Sequence, residues 1–288
     1  MHSTPPHLPP LFDAHCHLHD AWLVPHRDVV FAELALIGLK RAVVNGSSED
    51  DWTEVSALAR ERPVVLPSYG LHPWDAGNRS PGWKARLVAQ FVHDPGAAVG
   101  EIGLDRWILD DAKPDDPRLA GLRRAPLDEQ AEVFTWQLEF AAERNLPASI
   151  HCLQAWGLLR ELLESRRRPA RGFLLHGYGG SLEMVGPFAE LGAYFSFNGA
   201  FLGPRHAAKR EVFRKIPADR LLIETDAPAM PLPPEWRAHE LPQAPDGSVI
   251  NHPANLETSY AALASLRGVN VVELAAAVEA NFNRLFGR

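Results

Sequence analysis

Eight short apolar runs, spaced along the whole chain, most constrain how it can fold. Each is rich in β-branched or aromatic residues, as β-strands are. The runs are residues 11–18, 41–47, 64–71, 98–104, 147–153, 172–178, 192–198 and 221–227. Helical patterns lie between them, at 50–61, 82–93, 128–145, 155–168, 181–190 and 206–215. Regular alternation of strands and helices predicts a parallel sheet, and eight strands predict an α/β fold of the (β/α)8 TIM-barrel type.

The alternative is a doubly wound open sheet, which would place a glycine-rich phosphate turn after the first strand. No such turn is present in the residues that follow position 18. No repeat or linker divides the chain, so we expect residues 11–288 to form a single barrel domain. Residues 254–286 predict two closing helices, and the proline-rich residues 1–10 predict a disordered tail.

Two long connections are predicted at the C-terminal rim, which comprises the C-terminal ends of the strands and the loops that follow them. Residues 106–127 follow the fourth strand and residues 229–253 follow the eighth, and both are rich in proline, glycine and charge. Loops longer than about 15 residues are usually functional or disordered. We interpret these two as loops that shape a substrate site, with plain surface decoration as the alternative.

Composition excludes several classes of protein. No run of about 18 uncharged apolar residues is present, so no transmembrane helix is expected, and the N-terminus lacks the basic and apolar regions of a secretory signal. Two cysteines, Cys16 and Cys152, provide no disulfide framework, which favours the cytoplasm. The net charge of −7 argues against a generally basic nucleic-acid binder. It leaves a nuclease open, because metal ions and a few arginines can hold phosphates.

Six potential metal ligands end the predicted strands. Active sites of (β/α)8 barrels form at that end of the barrel, and mixed nitrogen and oxygen donors suit divalent ions such as Zn²⁺. The sequence therefore predicts a hydrolytic centre with two divalent ions (Zn, Mg or Mn). The six residues are His15, His17, Glu101, His151, His176 and Asp226.

The first three of these ligands can be interpreted from their strands. His15 and His17 point to one face because side chains alternate along a strand, and Asp13 lies below them as a supporting group. A buried Glu101 needs a charge partner or a metal, so we predict that it bridges two ions. The alternatives are an ordinary histidine pair and a glutamate paired with a basic residue of the barrel.

Asp226 is predicted to bind the first ion and to accept a proton from the attacking water, which makes Asp226 and Glu101 the candidate catalytic residues. Glu224, two residues earlier, is interpreted as a supporting acid. His72 faces the same rim and could contact a substrate phosphate, with a structural role as the alternative. Arg205, with Lys209 and Arg210, could steer a phosphate backbone, or could belong to a solvated helix face.

The motifs together resemble a known family. DAHCHL, GLHP, GEIGLD, IHC, LLHGYGGS, ETDAP and NFNRLFG occur in order from about residue 11 to residue 286. They resemble the TatD family of metal-dependent hydrolases, within the amidohydrolase superfamily. The resemblance implies a (β/α)8 barrel with deoxyribonuclease or phosphodiesterase activity. It also implies that His15, His17, Glu101 and Asp226 hold one ion, and that Glu101, His151 and His176 hold the other.

Three positions depart from the family pattern. Leu153 stands where the family commonly has arginine, Gly177 where it has cysteine, and Ile250-Asn251-His252-Pro253 where it has Arg-Asn-Glu-Pro. These changes could alter substrate contacts or the architecture of the rim. The choice between DNA and another phosphodiester substrate therefore stays open.

The expected function is hydrolysis of phosphodiester bonds, with DNA as the substrate of a deoxyribonuclease or exonuclease, by a water activated by two ions. A small-molecule amidohydrolase or esterase on the same centre is the first alternative, and a non-catalytic binding subunit is the second. Glu101 occupies the fourth strand, where related amidohydrolases often carry a carboxylated lysine, which favours phosphodiesters. Neither a membrane nor an obligate protein partner is indicated.

Overall fold

A computed structural model describes residues 9–287. Eight parallel strands form one sheet in the order β1 to β8, each strand pairing with the next along the chain. The sheet returns on itself, because Asp226 N donates to His15 O at 2.9 Å and His17 N donates to Ala227 O at 2.8 Å. The predicted (β/α)8 barrel is confirmed. The strands are β1 Leu11–Cys16, β2 Leu39–Gly46, β3 Val65–Tyr69, β4 Ala98–Asp105, β5 Ala148–Leu153, β6 Phe173–Leu175, β7 Ala193–Asn198 and β8 Leu221–Glu224.

The predicted tail over residues 1–10 falls mainly on residues 1–8, which lie outside the described range. The predicted strands overran at several ends, and three of these ends carry predicted ligands. β1 stops at Cys16, β6 at Leu175 and β8 at Glu224, so His17, His176 and Asp226 lie just beyond their strands. The backbone turns there, with a φ of 49° at Gly177 and 55° at Asp226. A positive φ ends the extended conformation that a strand needs.

Ten α-helices occur within residues 9–287, and they include the two expected closing helices, α9 and α10. The helix α1 was not predicted, because its apolar residues Val29 and Leu36 point outward, 57% and 76% exposed, and obscure the helical period. The helices are α1 Arg27–Leu36, α2 Trp52–Glu61, α3 Trp83–His93, α4 Trp107–Asp110, α5 Leu127–Arg144, α6 Trp156–Ser165, α7 Val185–Glu190, α8 Ala207–Lys215, α9 Leu256–Arg267 and α10 Val271–Phe286.

Within residues 9–287, no single helix is long and apolar enough to cross a bilayer. The segments Pro253–Arg267 and Val271–Phe286 meet both criteria only when they are taken together, and the chain bends by 108° between them.

Small polar side chains line the barrel interior beneath the C-terminal rim. Asn45, Ser149 and Ser196 are fully buried, as is Glu224. Buried polar groups need hydrogen-bond partners, and Glu224 has two, since Ser196 Oγ and Asn198 Nδ2 both donate to it. This polar interior offers fixed hydrogen-bonding groups to side chains at the rim above it.

Both long connections are packed against the barrel. Residues 106–126 contain α4, and Ile108, Ala112 and Leu119 form a small buried cluster with partly buried tryptophans, among them Trp107. In residues 229–253, Leu232 and several residues near position 250 are buried. A loop with its own buried side chains holds a defined shape, so both loops can form fixed walls of a site at the C-terminal rim.

Candidate metal centre

The six predicted ligands come together at the C-terminal rim, with Glu101 at the centre. On one side, Glu101 Oε2 lies 3.3 Å from His15 Nε2 and 3.4 Å from His17 Nε2. Asp226 Oδ1 lies 3.5 Å from His17 Nε2 and 3.7 Å from His15 Nε2. Ligands at about 2.1 Å around a tetrahedral ion are separated by about 3.4 Å. The spacing of these four atoms therefore suits one divalent ion.

The other oxygen of Glu101 faces a second group of imidazoles. Oε1 lies 2.9 Å from His176 Nε2, 3.2 Å from His151 Nδ1 and 3.3 Å from His72 Nε2. The His151 and His176 nitrogens are themselves 3.2 Å apart. Glu101 thus divides the histidine–carboxylate cluster, which consists of His15, His17, Glu101, His151, His176 and Asp226, into two halves with one carboxylate oxygen in each.

Hydrogen bonds behind the rings set which nitrogen faces the cluster. His17 Nδ1 donates to Asn45 O at 2.8 Å, so Nε2 keeps its lone pair in the neutral ring. His15 Nδ1 contacts Ser149 Oγ at 2.8 Å, and its Nε2 is buried without a hydrogen-bond partner. In the neutral His17 ring, the Nε2 lone pair faces two carboxylates and is repelled by them, and a cation between these atoms removes the repulsion. The residues present therefore fit a metal ion.

His72 differs from the other rings in its tautomer. Its Nδ1 accepts a hydrogen bond from Trp74 N at 3.2 Å, so the neutral ring carries its proton on Nε2, which faces Glu101. Burial lowers the pKa of His72 and favours this neutral form. His72 is thus placed as a hydrogen-bond donor at the edge of the cluster, and its Nε2 has no lone pair for an ion.

Asp105 was missed by the sequence reasoning. Its Oδ2 lies 3.2 Å from His151 Nε2 and accepts the Trp74 indole N–H at 2.6 Å. Burial opposes ionisation of Asp105, but the hydrogen bond and charge of His151, together with the Trp74 hydrogen bond and the charge of His72, hold its pKa below the usual value. A carboxylate on the far nitrogen orients a ligating imidazole. The signal was present, because Asp105 lies four residues after Glu101 on the same strand face.

The carboxylates of the cluster hold protons on several imidazoles. Burial disfavours charge on His17, but hydrogen bonds with Asp226 and Glu101 raise its pKa well above the usual value. Burial acts in the same way on His151, and hydrogen bonds with Asp105 and Glu101 raise its pKa to about 9. Because an ion must displace these protons, metal affinity is expected to fall as the pH falls.

Two interior acids support the cluster from below. Asp13 accepts hydrogen bonds from Thr225 N at 3.1 Å and Thr225 Oγ1 at 2.5 Å, which fixes the turn that carries Asp226. Burial raises the pKa of Asp13 to about 7. Glu224 Oε1 lies 3.8 Å from His176 Nδ1. Both acids thus contact residues that carry or flank predicted ligands, and their supporting roles stay a prediction.

The predicted phosphate contact Arg205 is not part of the cluster. It is exposed, and its Nε donates to His206 Nε2 at 3.0 Å. Among the residues that depart from the family pattern, Leu153 lies at the end of β5 and is 38% exposed. Gly177 has a φ of 49°, and a Cβ there would lie 3.2 Å from Glu224 Oε1, so any side chain at this position is strained.

The third departure from the family pattern, His252, is buried in the loop after β8 and contacts none of the six cluster residues. Its Nδ1 accepts from Ala254 N at 3.0 Å and its Nε2 lies 3.3 Å from Glu33 Oε2. His239 stacks on it and contacts Glu33 through Nδ1 at 2.6 Å and Glu257 through Nε2 at 2.9 Å. His252 therefore belongs to a network that joins the loop after β8 to α1 and α9, and it contributes to architecture rather than to substrate contact.

This burial predicts a pH dependence. Burial lowers the pKa of His252 to about 4, against about 6.5 in an unfolded chain. Between about pH 4 and 6.5, the unfolded chain binds a proton at His252 that the folded chain does not bind. The contribution of neutral His252 to the free energy of unfolding is therefore complete above about pH 6.5, and up to about 3 kcal/mol of it is lost as the pH falls toward 4. We expect His252→Gln to remove that part of the slope when the free energy of unfolding is measured by denaturant titration from pH 7.5 to 4.

The exposed His93, at the end of α3, provides the matched control, and His93→Gln should keep the wild-type slope. An unchanged slope in His252→Gln would show that His252 does not titrate in this window.

The parallel barrel with a histidine–carboxylate cluster at its C-terminal rim defines the class of (β/α)8-barrel metal-dependent hydrolases. The model of the family described as TatD-related DNase matches residues 12–287. The chain belongs to this family, and it is therefore a TatD-family metal-dependent hydrolase, of the class of enzymes that act on ester bonds.

Individual relatives agree over nearly the full length. The 3'-5' ssDNA/RNA exonuclease TatD of Salmonella typhimurium is 30% identical over 96% of this chain and 98% of its own. The uncharacterized metal-dependent hydrolase YabD of Bacillus subtilis is 28% identical over the same shares. The crystal structure of the TatD homolog YjjV from Escherichia coli K12 superposes with a TM-score of 0.81 at 28% identity, covering 96% of this chain and 98% of its own.

Proposed function

We propose that the protein hydrolyses phosphodiester bonds in nucleic acid, with single-stranded DNA as the first candidate substrate, at a centre that holds two divalent ions. The observation that carries the proposal is the position of Glu101, whose two oxygens each face a separate group of ring nitrogens. A carboxylate between two ions is suited to in-line displacement at phosphorus. The relatives named as exonucleases support nucleic acid as the substrate.

The ligands divide by the oxygen of Glu101 that they face. His15, His17 and Asp226 would hold one ion with Oε2, and His151 and His176 would hold the other with Oε1. The many imidazole donors favour Zn²⁺ or Mn²⁺ over Mg²⁺, which prefers oxygen ligands. Both cysteines are buried and unpaired, which is compatible with a cytoplasmic location.

Each residue then has a role in the reaction. When bound, the ions supply an activated water and offset negative charge on a phosphoryl oxygen. Asp226, partly exposed at the mouth of the site, accepts the proton of that water. His72 presents its Nε2–H from the edge of the cluster, where it can donate to a phosphoryl oxygen of the substrate. Asp105 keeps the His151 ring oriented.

A small-molecule esterase or amidohydrolase is the second candidate. The charge of a cleft formed by loops of the C-terminal rim favours it, although none of the six cluster residues lines this cleft. The cleft has a volume of about 740 Å³ and lies between Trp22, α4 with the loop after it, and the loop after β8. Four aspartates line it against two basic residues, so it does not favour a polyanion. The charged lining residues are Asp111, Lys113, Asp115, Asp116, Arg118 and Asp246.

Hydrolysis assays separate the two candidates. We expect protein loaded with Zn²⁺, Mn²⁺ or Mg²⁺ to cleave a single-stranded oligonucleotide and bis-p-nitrophenyl phosphate, and to lose at least about 100-fold in rate after chelation, since the ions supply the nucleophile. The measurements are product release and gel analysis of the oligonucleotide. Turnover of a lactone or amide without turnover of either phosphodiester would favour the second candidate and overturn the first.

A further inference from the structure

Three basic side chains on and just before α8 make no ion pair with any residue in the range 9–287. This basic cluster consists of Arg205, Lys209 and Arg210. The chain as a whole carries a net charge of −7, so most of its cations can find acidic partners. Arg210 has a structural role, because its guanidinium donates to Phe201 O and Gly203 O at 2.7 Å each. Lys209 and Arg205 remain without a counter-charge.

Lys209 is held in a defined position although it has no anionic partner. Its ammonium lies 4.5 Å from the centre of the Phe201 ring, and a Cβ placed on Gly179 would lie 3.3 Å from its Nζ. The side chain is partly buried, and burial together with the nearby Arg205 lowers the pKa of Lys209. Partial burial of an unpaired cation costs free energy, and an anion bound at this position would recover it.

The loop that Lys209 approaches offers free donors. In this β6 loop, residues 177–180, Gly177 N donates to Ser196 Oγ, whereas the N–H groups of residues 178–180 have no acceptor within the described chain. Consecutive backbone N–H groups form anion-binding concavities. Gly179 is exposed, so solvent and ligands can reach this part of the loop.

The β6 loop places Lys209 near the candidate metal centre. Gly179 lies three residues after His176, and three residues span at most about 11 Å. Lys209 nevertheless makes no ion pair with Glu101 or Asp226. The basic group therefore lies near the candidate metal centre without belonging to it.

We infer that Lys209, Arg205 and the backbone N–H groups of residues 178–180 form a subsite for a second phosphate, adjacent in the nucleic acid to the phosphate that is hydrolysed. This inference rests on the proposed function and specifies its substrate class. The subsite favours oligonucleotides with at least two consecutive phosphates over isolated diesters. It also gives the acidic protein a local means of binding a polyanion.

Lys209→Gln tests the subsite, with three substrates compared. These are bis-p-nitrophenyl phosphate and a dinucleotide, which have one phosphate each, and a trinucleotide, which has two. We expect kcat/KM for the trinucleotide to fall at least tenfold, mainly through KM, because a hydrogen bond to a charged group is lost. The loss with either single-phosphate substrate should be several-fold smaller. The dependence of log KM on log salt concentration should decrease by about 0.7 for the trinucleotide.

The matched control is Lys215→Gln, which removes the same charge from the exposed last turn of the same helix and should leave all three substrates unchanged. Equal losses of Lys209→Gln on all substrates, or an equal loss in the control, would overturn the subsite. Absence of wild-type turnover on every phosphodiester would overturn the proposed function instead. The subsite is then tested by fluorescence anisotropy with a labelled trinucleotide, and equal affinity of wild type and Lys209→Gln would overturn it.

Discussion

Replacing Glu101 with glutamine is expected to remove metal from both halves of the centre and to lower hydrolysis by at least about 100-fold, since even a residue that only supports a ligand is worth 10–100-fold. The two oxygens of Glu101 contact different imidazoles, within 3.4 Å on both sides. An amide keeps the shape but loses the charge, and its nitrogen offers no lone pair to an ion. Metal content per chain, measured by plasma mass spectrometry, and kcat on bis-p-nitrophenyl phosphate are the two measurements.

The control for this variant is Glu164→Gln on α6, where the carboxylate is 47% exposed and pairs with Arg160 one turn earlier. It should retain wild-type metal content and activity. If Glu101→Gln keeps both ions, Glu101 does not bridge the two halves, and the proposed division of ligands is wrong.

Asp226→Asn is expected to lower kcat by roughly 10²–10⁴-fold, the usual contribution of a positioned general base. Asparagine cannot take a proton from water at neutral pH. Its backbone is suited to the position, because the φ of 55° lies in the left-handed region that asparagine tolerates well. The fold should therefore persist, and the loss should appear in kcat on bis-p-nitrophenyl phosphate when the assay contains saturating metal.

Asp110→Asn is the matched control, since Asp110 lies at the end of α4 on the same rim, is 51% exposed and pairs with Arg106. It should lower kcat by less than about twofold, because exposed ion pairs contribute little. Activity of Asp226→Asn within tenfold of wild type would assign the proton transfer to another group, although Asp226 could still bind the ion.

The strand and helix order could be predicted because each barrel strand is buried on both faces and appears as an apolar run. The ends of β1, β6 and β8 could not be placed, because the backbone turns there depend on single residues such as Asp226, which adopts a positive φ although it is not glycine. The helix α1 was missed because its exposed residues, among them Leu36, are apolar.

Convergence of the six predicted ligands followed from topology, since parallel strands in a barrel bring their C-terminal ends to one rim. Other features depend on side-chain conformations and turns that no linear pattern encodes. The oxygen of Glu101 that each ring faces is one example. The tautomer of His72 is another, because it follows from a backbone N–H of Trp74. Asp105 could have been predicted, because side chains alternate along a strand and Asp105 lies on the same face as Glu101.

The closure of the barrel, where the residues after β8 pair with β1, shares residues with the candidate metal centre. Thr225 and Asp13, which join β8 to β1, are 212 positions apart in the chain, and His15 and Asp226 beside them also share a backbone hydrogen bond. Closing so long a loop costs conformational entropy, and an ion that binds only the closed form offsets that cost by mass action. An ion held by His15 and Asp226, as proposed, would therefore also fasten the first strand of the protein to its last.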